Sequence, residues 1–153
     1  MLKYFIMKSS FLSTLILITA LIFTSNYSNA QTQTLGNKVE YKGANKKLAV
    51  MISDVKHFNT TVETAELLKL KENGLTFEIV IVGILAKEIV ENKELIKIID
   101  RAEKSGAKLV ICEYALDVLK VDKSKLDKRI SITPNALVYM FELNDKGYNT
   151  LVY

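Results

Sequence analysis

The chain has 153 residues, 49% of them hydrophobic and 25% charged, with a net charge of +4 at pH 7. That length and apolar content support one domain around a single core. So small a positive excess excludes a nucleic-acid binder built on a concentrated basic face.

The first thirty residues have the layout of a secretory leader. Lys3 and Lys8 flank the start, Phe11 to Phe23 is an uncharged apolar block, and small residues stand at Ser28 and Ala30. Cleavage is expected after Ala30, which makes 1–30 a signal peptide. A spanning anchor would need roughly 20 apolar residues, more than this block offers, so no stable membrane anchor is expected after cleavage. The protein is therefore expected to be exported, periplasmic or secreted. Loss of Lys3 and Lys8 leaves a net charge of about +2. Cys112 is the one cysteine, and in an oxidising compartment it cannot form an internal disulfide, so it is either shielded or used.

Residues 31–46 are polar, without apolar periodicity, and read as a flexible lead-in. The domain is expected over 47–153. "KLAVMIS" (Lys47 to Ser53), "TFEIVIV" (Thr76 to Val82) and "KLVIC" (Lys108 to Cys112) are apolar runs of strand length. Between the first two, Val62 to Leu70 carries a helical apolar stripe and stops before Gly74. Between the next two, Asn92 to Ser105 reads as a helix capped by Asn92 and ended by Gly106. A short helical run, Ala115 to Leu119, follows the third strand. "RISIT" (Arg129 to Thr133) gives a fourth strand, Asn135 to Asn144 a helix opening after Pro134, and "YNTLVY" (Tyr148 to Tyr153) a last strand. Such alternation predicts an α/β fold, a compact three-layer domain with a mostly parallel sheet of about five strands and helices on both faces.

In an open parallel sheet, chemistry collects beyond the carboxyl ends of the strands. There the order of the chain places Asp54, His57 and Asn59 after the first strand, Gly83 after the second, Cys112 and Glu113 at the third, and Asn135 after the fourth. The positive end of the following helix favours a thiolate at Cys112, whereas the neighbouring Glu113 carboxylate disfavours one. A free cysteine ending a buried strand can equally be a small apolar core residue. The sequence holds no metal-ligand cluster, no Gly-rich phosphate loop and no Ser-His-Asp set, so neither metal nor cofactor is expected.

Taken in order, the first strand with its polar loop, "EIVIVG" ending at Gly83, "AEKSGAKLVICEYAL" and "ITPNALVYMFELNDKGYNTLVY" resemble the DsrE/DsrF-like sulfur-relay family and its smaller YchN-like relatives. The resemblance covers roughly 47–153. It implies a compact α/β domain that forms homo- or hetero-oligomers, here most simply a homo-oligomer, and a cysteine that carries sulfur as a persulfide. Cys112 stands at the matching position. The function implied is that of an exported sulfur carrier or sulfurtransferase-like protein, exchanging sulfane sulfur with a donor or acceptor thiol protein. The alternative is a non-catalytic oligomeric binding module of the same fold. Three departures stand around the crevice: Gly83-Ile84-Leu85 where Gly-x-Gly is frequent, Cys112-Glu113 where Cys-Gly is frequent, and Ala136 where glycine is common. Side chains at these points are expected to narrow it.

Overall fold

The computed structural model describes residues 41–68 and 70–153. The expected leader, 1–30, and most of the lead-in lie outside the described residues. From Lys47 on, five strands alternate with helices: β1 (Lys47–Ile52), α1 (Val55–Leu68), α2 (Leu70–Asn73), β2 (Thr76–Ile81), α3 (Gly83–Glu91), α4 (Ile96–Ser105), β3 (Lys108–Cys112), α5 (Glu113–Val118), β4 (Ile130–Thr133), α6 (Ala136–Asp145) and β5 (Asn149–Val152). Short 3-10 turns at Lys93–Leu95 and Lys123–Lys125 lead into α4 and β4.

The strands form one sheet in the order β4-β3-β2-β1-β5, and every pair is parallel. The chain thus steps one strand at a time from β1 to β4 and then returns to lay β5 on the far side of β1. All five expected strands are present within a residue or two.

Because side chains alternate across a strand, each central strand supplies two faces. On one, Ile52, Ile79, Ile81 and Ile111 pack against Phe58, Val62 and Ala65 of α1, Leu85 and Ile89 of α3, and Ile99 and Ala102 of α4. On the other, Ala49, Met51, Val80 and Cys112 pack against Ala136, Met140 and Leu143 of α6. Burial on both faces explains why these strands read as continuous apolar runs rather than alternating ones. Tyr41, in the segment read as a polar lead-in, packs against the first cluster.

Two helical boundaries differ from the expectation. α1 begins at Val55, seven residues before Val62, so His57 and Asn59 lie in a helix and not in a loop. Its first turns are polar, but Phe58 and Thr61 continue the buried stripe back from Val62. Asp54 starts the helix: its Oδ1 accepts from the His57 N–H at 2.9 Å, which satisfies one of the free donors of the first turn. The segment after Gly83, for which no element was expected, is the helix α3, with Leu85, Ala86 and Ile89 buried at helical spacing.

Gly83 makes that turn from strand to helix possible. Its φ is +57°, and a Cβ there would lie 3.2 Å from Cβ of Ser53. The Val82 and Leu85 N–H groups donate to the carbonyls of Ile52 and Ser53, which draws the start of α3 tightly against the end of β1. Gly106, with φ +90°, ends α4 as expected, its N–H donating to Ala102 and Glu103.

Candidate functional site

At the carboxyl edge of the sheet, the ends of β1, β2 and β3 and the starts of α3, α5 and α6 enclose a crevice of about 470 Å³. Met51, Val82, Ile84, Val118, Leu119 and Leu137 supply most of its apolar wall, and Gly83, Asn135 and Ala136 complete the turns that shape it. Cys112 lies in its floor, 5% exposed. Three of the expected residues, Cys112, Gly83 and Asn135, are therefore brought together.

The local reasons are clear in the chain. Cys112 ends β3 and is the residue before the first turn of α5, so its backbone is still extended and its side chain follows the strand onto the α6 side of the sheet. There the backbone N–H of Ala136, the first residue of α6, donates to Sγ at 3.4 Å. Asn135 aims that N–H by capping the helix: its Oδ1 accepts from Leu137 N–H at 2.9 Å and from Val138 N–H at 3.3 Å. The Tyr114 N–H donates to the Pro134 carbonyl at 3.3 Å, which fastens the start of α5 to the same turn. A sulfur that gains negative charge at Cys112 would thus find a backbone donor already directed at it.

The other expected residues do not line the crevice. Glu113 turns to Lys123, its Oε1 2.8 Å from Nζ, and the same ammonium lies 2.6 Å from Asp117. Both carboxylates hold the Lys123 ammonium above the usual lysine range, Asp117 more than Glu113. Asn59 accepts from Arg101 at 2.8 Å, and Arg101 also holds Glu66 through two N–H groups at 2.9 and 2.6 Å. That fork ties α1 to α4 and depresses the Glu66 carboxyl. Nδ1 of His57 lies 2.6 Å from Oδ2 of Asp54, and the ring stacks on Tyr153 with centroids 4.0 Å apart. His57 therefore holds Tyr153 against α1, and Asp54 contacts the same imidazole.

A second groove, of about 490 Å³, runs between β5, β1 and α1 and is lined by Tyr41, Thr61, Leu68, Phe77, Leu151 and Tyr153. No expected site residue reaches it. The hydroxyls of its Thr60 and Thr64 donate to carbonyls of their own helix. Similar in volume to the Cys112 crevice, it has no cysteine, histidine or charged side chain in its lining among the described residues.

Sequence reasoning missed Glu78. It lies in the middle of β2, 4% exposed, and its carboxyl accepts from Tyr139 Oη at 2.6 Å and Tyr148 Oη at 3.0 Å, with Lys108 Nζ at 3.3 Å. Desolvation and then the hydrogen bond to Glu78 push the Tyr148 phenol up to about 12 and raise Tyr139 in the same way. The signal was present: an acid inside "TFEIVIV" has to be paired where strands are buried on both faces. Its partners come from β3, α6 and the turn before β5, so the group fastens α6 over the face that holds Cys112.

No protein-family model matches the chain, and no curated protein matches it in sequence. Solved structures do match. A protein of unknown function from Methanobacterium thermoautotrophicum superposes with a TM-score of 0.62 at 10% identity, over 71% of this chain and all of the other. A conserved protein of unknown function from Bacteroides thetaiotaomicron gives 0.59 at 19% identity, over 74% of this chain and 99% of its own. The ychN protein of E. coli gives 0.58 at 9% identity, again over 71% of this chain and the whole of that one. Agreement of architecture over 71–74% of this chain and 99–100% of the others makes the matched part a compact α/β domain with the YchN-like fold.

Proposed function

We propose that this protein is a single-cysteine sulfur carrier of the cell envelope, with Cys112 as the persulfide-forming thiol. The observation that carries the reading is the position of Sγ: on the floor of the strand-end crevice, with the Ala136 N–H directed at it at 3.4 Å. In loading, the Cys112 thiolate attacks a sulfane sulfur, a new S–S bond forms, and the donor's own S–S bond breaks with the electron pair leaving on the donor fragment. In unloading, an acceptor thiolate takes the terminal sulfur and the Cys112 thiolate is released. Neither step needs a metal or a redox partner. Donor and acceptor are thiol or sulfane-sulfur proteins or small molecules, and the protein works as a homo-oligomer outside the cytoplasm after removal of 1–30.

Incubation of the folded protein with inorganic polysulfide tests this. Intact-mass spectra should gain about 32 Da, one sulfur atom on one nucleophile, and the gain should vanish in Cys112→Ser or on addition of a reducing thiol. N-terminal sequencing of the exported form should begin at Gln31.

The packing of Cys112 with Ala49, Met51 and Val80 favours a second reading, a binding module in which the thiol is only a core residue. Under that reading the thiol resists iodoacetamide until the protein is denatured, and no sulfur is added.

A further inference from the structure

Among the described residues, no charged side chain lines the Cys112 crevice. Its rim is apolar as well: Ile84, Tyr114, Val118 and Leu137 are each about half or more exposed around the mouth. The cation on the α5 side, Lys123, is taken up by Glu113 and Asp117. An anion entering this space would lose water and find no counter-charge, at a cost that an uncharged group does not meet. An apolar group would instead replace water along Ile84, Val118 and Leu137. A volume of about 470 Å³ suits a small organic molecule.

We infer that the crevice selects uncharged organic polysulfanes, typified by dialkyl trisulfides R–S–S–S–R with apolar R groups, over anionic sulfane donors such as thiosulfate. This rests on the reading of Cys112 as a sulfur-accepting thiol and names the substrate class for it. The Cys112 thiolate attacks the central sulfur. A Cys112–S–S–S–R bond array forms and one R–S⁻ leaves. That thiolate then attacks the sulfur bearing the other R group, releasing the disulfide R–S–S–R and leaving Cys112–S–S⁻. The net exchange is Cys112–S⁻ plus R–S–S–S–R giving Cys112–S–S⁻ plus R–S–S–R. Atoms and charge balance, and the sulfane sulfur itself is the oxidant.

Dipropyl trisulfide and bis(2-carboxyethyl) trisulfide share the S–S–S unit and nearly the same chain length, but the second ends in two carboxylates. With the full mature chain, the rate at which Cys112 acquires sulfur adducts is measured by intact mass for both donors and for thiosulfate. Each rate is divided by that of the same donor with N-acetylcysteine. The uncharged trisulfide should lead by roughly tenfold, the scale set by burying one or two methylene groups. Val118→Lys and Ile84→Lys, which put a cation on the exposed rim, should narrow or invert that lead without lowering the circular-dichroism melting temperature appreciably. Equal normalised rates in the unaltered protein would overturn the selectivity while leaving the carrier reading intact. If iodoacetamide labels Cys112 in the folded protein and yet no donor adds sulfur, the carrier reading fails and the selectivity with it.

Discussion

Glu78 carries the heaviest polar demand in the domain, since a carboxyl in the centre of a sheet must find partners or lose its hydration without return. Two phenols and an ammonium supply them, and they place a pH signature on the fold. Tyr148 titrates at about 12 in the folded protein, first because it is desolvated and second because its hydroxyl donates to Glu78; an unfolded tyrosine titrates near 10. A raised folded value means that folding favours the neutral phenol. The contribution is complete below about pH 10 and is lost as the pH rises through about 12. Tyr139 is displaced in the same direction. Thermal melts between pH 8 and pH 12 should therefore show this contribution level up to about pH 10 and falling above it, with a tyrosinate absorbance titration reporting the same groups. Tyr148→Phe should cost about 1 kcal/mol near neutral pH, the usual net worth of a hydrogen bond, and should soften the alkaline fall. An unchanged alkaline profile in that variant would remove Tyr148 from the explanation.

At the scale of elements, the turn at Gly83 decides where α3 starts and hence where one wall of the crevice stands. Gly83→Ala forces a Cβ into a left-handed backbone and against Ser53, which should destabilise the protein by about 1–3 kcal/mol in urea unfolding. An effect within a few tenths of a kcal/mol would mean that the turn relaxes freely. At the opposite wall, Asn135→Ala removes the acceptor for Leu137 and Val138 N–H and should cost about 1 kcal/mol. It should also change the rate of iodoacetamide labelling at Cys112, because the N–H of Ala136 is aimed by that cap. The strands were legible in the sequence because both faces of the sheet are covered, which leaves long β-branched runs such as Ile79 to Ile81. The first half of α1 was not: Lys56, His57, Asn59 and Thr60 mask a stripe carried there by Phe58 and Thr61, with Val55 packed against the core only in part. α3 was hidden for the opposite reason, its apolar residues running on from β2 with only Gly83 between. The site follows the same division. Cys112, Gly83 and Asn135 were legible because topology alone puts them past strand ends. Asp54, His57, Asn59 and Glu113 sit at the same height in the chain, yet side-chain partners on α1, α4 and the turn before β4 turn them to structural work.

Across the whole domain, apolar surface is distributed unevenly. One face of the sheet is covered by α1, α3 and α4, the other by α6 as the principal helix, and α6 shows solvent a second apolar side. Phe141 is 68% exposed, and Leu137 and Val138 lie beside it on the same helix with more than half their surface free. Helices of a monomer normally present one apolar stripe and one polar side; contiguous exposed apolar residues mark surfaces that associate. A second copy of the chain is the occupant that the sulfur-relay reading proposes for this face, and a stable contact there would need to bury about 1,000 Å² or more in total. Light scattering on residues 31–153 at tens of micromolar should then give a multiple of the monomer mass. Phe141→Glu, placed away from the lining of the Cys112 crevice, should dissociate the assembly by burying an unpaired charge in the contact, while leaving the circular-dichroism spectrum of the domain unchanged. A mass equal to one chain in the unaltered protein at that concentration would leave the α6 face to a different partner and would withdraw self-association from the proposed function.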